Sequence, residues 1–215
     1  MTLLSTPEGL TLNLLEGDQP KTLRIDFADP HLQFRIKRAR HQGDPLLKAF
    51  GLKPIHPAHI VDATAGLGQD AFVLAALGHT ITLFEKHPNI HSLLVDALQR
   101  AEQKADLLDI VRRITLYSGD ACEGLSKLNF KPEYIYLDPM FPEKKKSALS
   151  KQSMEILKQI CDLSEQPELL TAARQFALKR VVVKRPIHAP ALGDQTASFS
   201  HRYQSCRFDV YVITP

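Results

Sequence analysis

Apolar and polar positions change rhythm near residue 45. Before it, Leu10, Leu12 and Leu14, then Leu23, Ile25 and Phe27, alternate with polar residues on either side of Glu16-Gly17-Asp18-Gln19-Pro20. That is the pattern of two strands joined as a hairpin. A basic stretch from Arg35 to Arg40 follows, and Pro45 to Phe50 predicts a short helix stopped by Gly51. From His59 onward, short apolar runs alternate with helical stripes. Strands are predicted over 60–63, 81–84, 114–117, 134–137, 181–183 and 207–213, and helices over 70–77, 89–104, 152–163 and 167–178. The helix over 89–104 carries Ile90, Leu93, Leu94, Ala97, Leu98 and Ala101 at the spacing of one helical face. Strands alternating with helices imply an α/β fold, a mostly parallel sheet covered on both faces. The chain therefore divides into a β-containing extension, residues 1–45, and an α/β domain, residues 46–215.

In such a sheet ligands bind beyond the carboxyl ends of the strands, so the residues there carry the chemistry. Asp62-Ala63-Thr64-Ala65-Gly66-Leu67-Gly68-Gln69-Asp70 makes the first strand-to-helix turn. Its glycines allow close backbone approach, and the helix start offers unpaired N–H groups. Glu85, at the tip of the second strand, is placed to accept the hydroxyls of a ribose. Asp120 and Ala121, after the third strand, offer an acceptor for an adenine amine and a backbone N–H. Gly66, Gly68 and Ala71 also satisfy a relaxed dinucleotide fingerprint, which leaves a nicotinamide-dependent oxidoreductase in competition with a methyltransferase that binds S-adenosylmethionine. In the second reading, polar Gln69 and Asp70 meet the amino-acid moiety of the ligand.

The strand over 134–137 runs into Asp138-Pro139-Met140-Phe141-Pro142. A carboxylate and a backbone carbonyl accept the two hydrogens of an amine, while an aromatic ring stacks on the planar group that bears it. This suits transfer to the amine of a nucleobase, with Asp138, the Pro139 carbonyl and Phe141 as the reacting-end residues. It also separates the two readings, because a dehydrogenase has no use for such a motif. A non-catalytic binding factor of the same fold has none either. The chemistry calls for no metal.

Charge and cysteines change the picture little. The net charge of +3 is mild, so its distribution matters more than its sum. Arg35, Lys37, Arg38 and Arg40, with Lys144, Lys145 and Lys146 and with Lys184 and Arg185, are expected to form a basic rim that holds RNA phosphates. Cys122, Cys161 and Cys206 show neither a metal spacing nor a disulfide framework, and no signal peptide or membrane-length apolar run is visible. A soluble cytoplasmic protein is expected. His188 and His201 have no legible acid or nucleophile beside them.

Beyond these features, the chain resembles a known family. Its core is similar to the Rossmann-like S-adenosylmethionine-dependent methyltransferases, and Asp138 to Phe141 resembles the Asn/Asp-Pro-Pro-Tyr/Phe motif of members that methylate amines. Val61 to Leu74, Tyr136 to Pro142, Lys146 to Leu149, Lys179 to Pro186 and Arg207 to Tyr211 look like the ribosomal RNA small subunit methyltransferase J family. That resemblance implies methylation of the exocyclic N2 of a guanosine in 16S ribosomal RNA, on the rRNA or the small subunit. It also implies cofactor contacts at Gln69, Asp70, Glu85, Lys86, Asp120, Ala121 and Asp138.

Overall fold

The structure, a computed structural model, describes residues 1–16, 19–52, 56–139, 156–157, 159–160, 166–204 and 206–214. Its centre is a seven-stranded sheet. The strands are β4 (His59–Asp62), β5 (Thr80–Glu85), β6 (Ile114–Ser118), β7 (Tyr134–Leu137), β8 (Arg180–Pro186), β9 (Phe199–Tyr203) and β10 (Cys206–Val212), in the spatial order β6-β5-β4-β7-β8-β10-β9. The first five are parallel, and β10 and β9 close one edge antiparallel. All four residues of β7 are buried, as are Ile60, Val61 and Asp62 of β4. Strands covered on both faces need such unbroken apolar runs rather than alternation. From β4 the chain builds outward to β5 and β6, then returns to β7 on the other side of β4. The crevice at that reversal, above the ends of β4 and β7, is where an open α/β sheet binds its ligand.

Seven α-helices are described: α1 (Pro30–Gln42), α2 (Pro45–Phe50), α3 (Gln69–Ala76), α4 (Pro88–Glu102), α5 (Leu108–Val111), α6 (Ala121–Gly124) and α7 (Pro167–Phe176). Helix α3 buries every residue from Ala71 to Ala75, and α4 buries Ile90, Leu93, Leu94, Ala97 and Ala101 along one stripe. The predicted helix over 152–163 falls mainly outside the described residues.

The first forty-five residues contain more structure than the expected hairpin. Strands β1 (Thr2–Thr6), β2 (Gly9–Glu16) and β3 (Gln19–Leu23) form an antiparallel meander. The predicted strand over 23–27 ends at Leu23, because Asp26 makes a turn. Its carboxylate accepts the Ala28 N–H at 2.9 Å, and its carbonyl accepts the Asp29 N–H at 3.2 Å. Asp29 then caps α1 through the His31 and Leu32 amides. The basic stretch is thus one exposed side of a helix whose other side buries Leu32, Ile36 and Ala39. Leu12, Leu23, Ile25 and Phe27 share one buried cluster with Phe72, Leu93 and Leu94. Phe27 stacks on Phe72 with ring centroids 4.3 Å apart.

Candidate functional site

Pairing of β4 with β7 puts Asp62 opposite Tyr136, which brings the first turn and the Asp138 motif together. Asp62 Oδ1 accepts from the Thr64 N–H at 3.0 Å and the Thr64 hydroxyl at 3.4 Å. That hydroxyl oxygen in turn accepts the Asp138 N–H at 2.6 Å. Thr64 therefore ties the turn to the backbone of the Asp138 motif. Gly68 has φ +69°, and a Cβ there would stand 3.0 Å from Leu94 Cδ2 and 3.2 Å from Phe27 Cζ. Both the backbone conformation and the packing require glycine at the start of α3.

Glu85 stands where the sequence put it. Its carboxylate accepts the Gly66 N–H at 2.9 Å and the His87 N–H at 2.8 Å, so it also shapes the turn. Each carboxylate oxygen has a second lone pair available for a hydroxyl. Burial raises the Glu85 pKa against the pull of those amides. Asp120 caps α6 through the Cys122 N–H at 2.7 Å. It lines a cavity of about 410 Å³ with Phe84, Tyr117, Ser118 and Gly119. Ala121 is buried beside it, Gln69 is half-buried at the start of α3, and Lys86 is exposed.

Four charges alternate in sign across the crevice. Arg35 of α1 donates to Asp70 Oδ1 at 2.6 Å. Lys184 of β8 reaches Asp70 Oδ2 at 3.0 Å and Asp138 Oδ2 at 2.8 Å. The Tyr136 hydroxyl donates to Asp70 Oδ2 at 2.7 Å. Burial would raise Asp70, but Lys184 and Arg35 overcome it and hold the group far below the usual carboxylate range. Burial likewise works against the charge on Lys184, and Asp138 and Asp70 reverse its effect. Burial raises the Asp138 pKa, with Lys184 opposing. The Asp138 side chain keeps 37 % of its surface open, so its carboxylate faces the mouth of a cleft rather than the dry core. Asp62 is 2 % exposed, and burial with the nearby Asp70 and Asp138 charges lifts it to about 7 against its bonds from Thr64.

The expected basic rim needs correction in three places. Arg185 is 1 % exposed and donates from Nε and Nη2 to the Pro190 carbonyl, which takes it off the surface. Lys184 and Arg35 turn inward to carboxylates instead of outward to solvent. Lys37, Arg38 and Arg40 are exposed on α1, with Arg38 near the Tyr203 hydroxyl at 3.4 Å. Lys144, Lys145, Lys146 and Phe141 lie outside the described residues. Thr64 and Tyr136 were visible in the motif segments but drew no role. Tyr136 of β7 is two residues before Asp138, which directly follows the strand, the alternation that places side chains on a shared face.

Known proteins place the chain in a family. A family model described as "Putative SAM-dependent methyltransferase" matches residues 1–213. The ribosomal RNA small subunit methyltransferase J of Tolumonas auensis is 45 % identical over 94 % of this chain and 83 % of its own length. That of Thioalkalivibrio sulfidiphilus is 41 % identical over 99 % of this chain and 84 % of its own. A crystal structure of a SAM-dependent methyltransferase from Neisseria gonorrhoeae superposes with a TM-score of 0.78 at 35 % identity, covering 98 % of this chain and 81 % of that one. The fold is the Rossmann-like methyltransferase fold, and these matches give no support to an oxidoreductase or to a non-catalytic binding factor. Among the described residues no helix is long and apolar enough to cross a membrane. The chain belongs to the S-adenosylmethionine-dependent methyltransferases, in the ribosomal RNA small subunit methyltransferase J family.

Proposed function

We propose that this protein methylates the exocyclic N2 of a guanosine in 16S ribosomal RNA, with the small subunit or its rRNA as partner. One observation carries the reading. Asp138 is presented at the reversal crevice with its amide fixed by Thr64 and its carboxylate partly open to the mouth. The family relationship supports the substrate class.

S-adenosylmethionine supplies an electrophilic methyl group on a positively charged sulfur. The residues present fit such a ligand. Asp70 and Asp138 match Arg35 and Lys184 at the crevice, so no excess of fixed positive charge opposes a cationic ligand there. Glu85 offers acceptors for ribose hydroxyls, and Gly66, Gly68, Gln69 and Asp70 form a turn the ligand can approach. Asp120 and Ala121, with Lys86 nearby, receive the base.

A guanine amine is a weak nucleophile because its lone pair is delocalised into the ring. In the proposed pose Asp138 accepts one amine hydrogen and the Pro139 carbonyl the other, which orients the lone pair toward the electrophile. Lys184 holds Oδ2, so Oδ1 is the oxygen turned to the amine. The negative carboxylate stabilises positive charge as it develops on nitrogen. Nitrogen would gain the methyl group as the methyl–sulfur bond breaks and a neutral thioether leaves; the resulting cationic amine is acidic and would release its proton to the Asp138 carboxylate and then to water. Phe141 stacks on the base, while Lys37, Arg38 and Arg40, together with Lys144, Lys145 and Lys146, meet phosphates without reading sequence.

The test is tritium transfer from labelled cofactor to small subunits, naked 16S rRNA and DNA. Wild type should label guanine in rRNA and Asp138→Ala should not. Near-wild-type labelling by the variant removes Asp138 from the mechanism, and labelling of another base overturns the substrate.

A further inference from the structure

Lys184 was expected among phosphate-binding lysines, yet its ammonium lies between two carboxylates. It follows Val183, which pairs with Leu137 in the β7–β8 ladder, so Lys184 stands beside Asp138 at the same level of the sheet. Asp70 anchors it from α3, and Asp70 is itself gripped by Arg35 and by the Tyr136 hydroxyl. Four structural elements thus converge to fix one ammonium against one oxygen of Asp138.

An acceptor for an amine hydrogen must be both charged and aimed. A lone carboxylate at a strand end rotates about χ2 and is easily protonated in a cleft; a bound ammonium removes both freedoms. We propose that Lys184 is the positioning residue of Asp138: clamped by Asp70, its ammonium holds the Asp138 carboxylate ionised, with Oδ1 turned to the substrate amine. This rests on the amine-methylation reading given above.

Among the described residues, the groups that face Asp138 are Asp62 from β4, Asp70 from α3, Tyr136 from β7, Cys206 from β10, Arg35 from α1 and Lys184 from β8. Lys184 contributes the ammonium in hydrogen-bond contact with it. Without that ammonium, burial and Asp70 both push the Asp138 pKa up. Protonated Asp138 no longer accepts the hydrogen, so activity should fail first at low pH.

Lys184→Met and Lys184→Arg, made in the full chain, test this with two readouts. The first is the Asp138 carboxyl titration by 13C NMR without cofactor, assigned with Asp138→Asn. The second is the pH profile of kcat and KM on small subunits at saturating cofactor. In Lys184→Met the titration and the acid limb of kcat should move up together by about one unit, a roughly tenfold loss below the limb. KM for subunits should stay within about twofold, since no phosphate contact is lost. Lys184→Arg should keep the wild-type limb, which also controls for folding. An Asp138 titration and acid limb that stay in place in Lys184→Met, or a raised KM with kcat intact, overturns the proposal; the latter restores Lys184 to the RNA rim. If wild type leaves rRNA unlabelled while the titration still moves in Lys184→Met, the clamp on Asp138 holds and its assigned purpose is overturned with the substrate reading.

Discussion

Replacing Thr64 by Val keeps the shape of the side chain and removes one oxygen. In the folded protein that oxygen accepts the Asp138 N–H at 2.6 Å and donates to Asp62 at 3.4 Å. The long second bond is worth little, so the cost falls on the Asp138 amide, which loses its acceptor. An orphaned buried donor costs about 1–3 kcal/mol, and because Thr64 is only half-buried the lower part of that range, about 1–2 kcal/mol, applies. For a chain of 215 residues each kcal/mol lowers Tm by about 2–4 °C, so a fall of roughly 2–8 °C is expected. The effect on turnover should be larger than stability alone implies. In the proposed function Asp138 begins the motif that receives the amine, and a displacement on the order of 1 Å at a reacting group can cost about a hundredfold. Steady-state methylation of small subunits should show kcat reduced roughly ten- to a hundredfold with cofactor affinity little changed. Thr64→Ser, which keeps the oxygen, should stay within about threefold of wild type. A Thr64→Val enzyme with wild-type kcat would show that the Asp138 backbone is held by something other than this hydroxyl.

Two further outcomes test the turn itself. Gly68→Ala forces a side chain into φ +69° against Leu94 and Phe27, so it should destabilise by about 1–3 kcal/mol and weaken cofactor binding, read by urea melts and calorimetric titration. Unchanged stability would mean that α3 can start differently. Asp62, lifted to about 7, keeps its proton when folded at pH values where the unfolded chain has lost it. Its contribution is therefore fully present below the unfolded value near 4 and is lost as pH rises toward 7. The stability of wild type minus that of Asp62→Asn should fall by up to about 1.4 kcal/mol per pH unit across that window and level off above it. A flat difference would place the Asp62 carboxylate in a wetter site than its burial indicates.

The sequence carried the central sheet because β4, β5, β7 and β8 each hold a short buried apolar run, the mark of strands covered on both faces, while β6, at one edge, shows Ile114 and Leu116 alternating with exposed residues. It hid β9, where Phe199 to His201 and Arg202 are exposed and only Tyr203 is half-buried. An edge strand buries too little to impose a pattern. Helix α1 was missed for a different reason: Leu32, Ile36 and Ala39 have helical spacing, but Arg35, Lys37, Arg38 and Arg40 between them read as a charge run. The strand-end positions of Glu85, Asp120 and Asp138 were legible because a short apolar run fixes where its strand stops. The partnership of Arg35, Asp70, Lys184 and Asp138 was not. It depends on the β7–β8 register and on how α1 crosses α3, and neither is written in local periodicity.

Phe27 lying flat on Phe72 has a consequence for how the protein is made. Strands β2 and β3 are synthesised early, yet the surface that buries Leu12, Leu23 and Phe27 is supplied by α3 and α4. At roughly 5–20 residues per second, the nascent meander waits several seconds for those helices to leave the exit tunnel. During that interval its apolar face is open to chaperones. A fragment released before α4 emerges is a substrate for proteases rather than a folded intermediate.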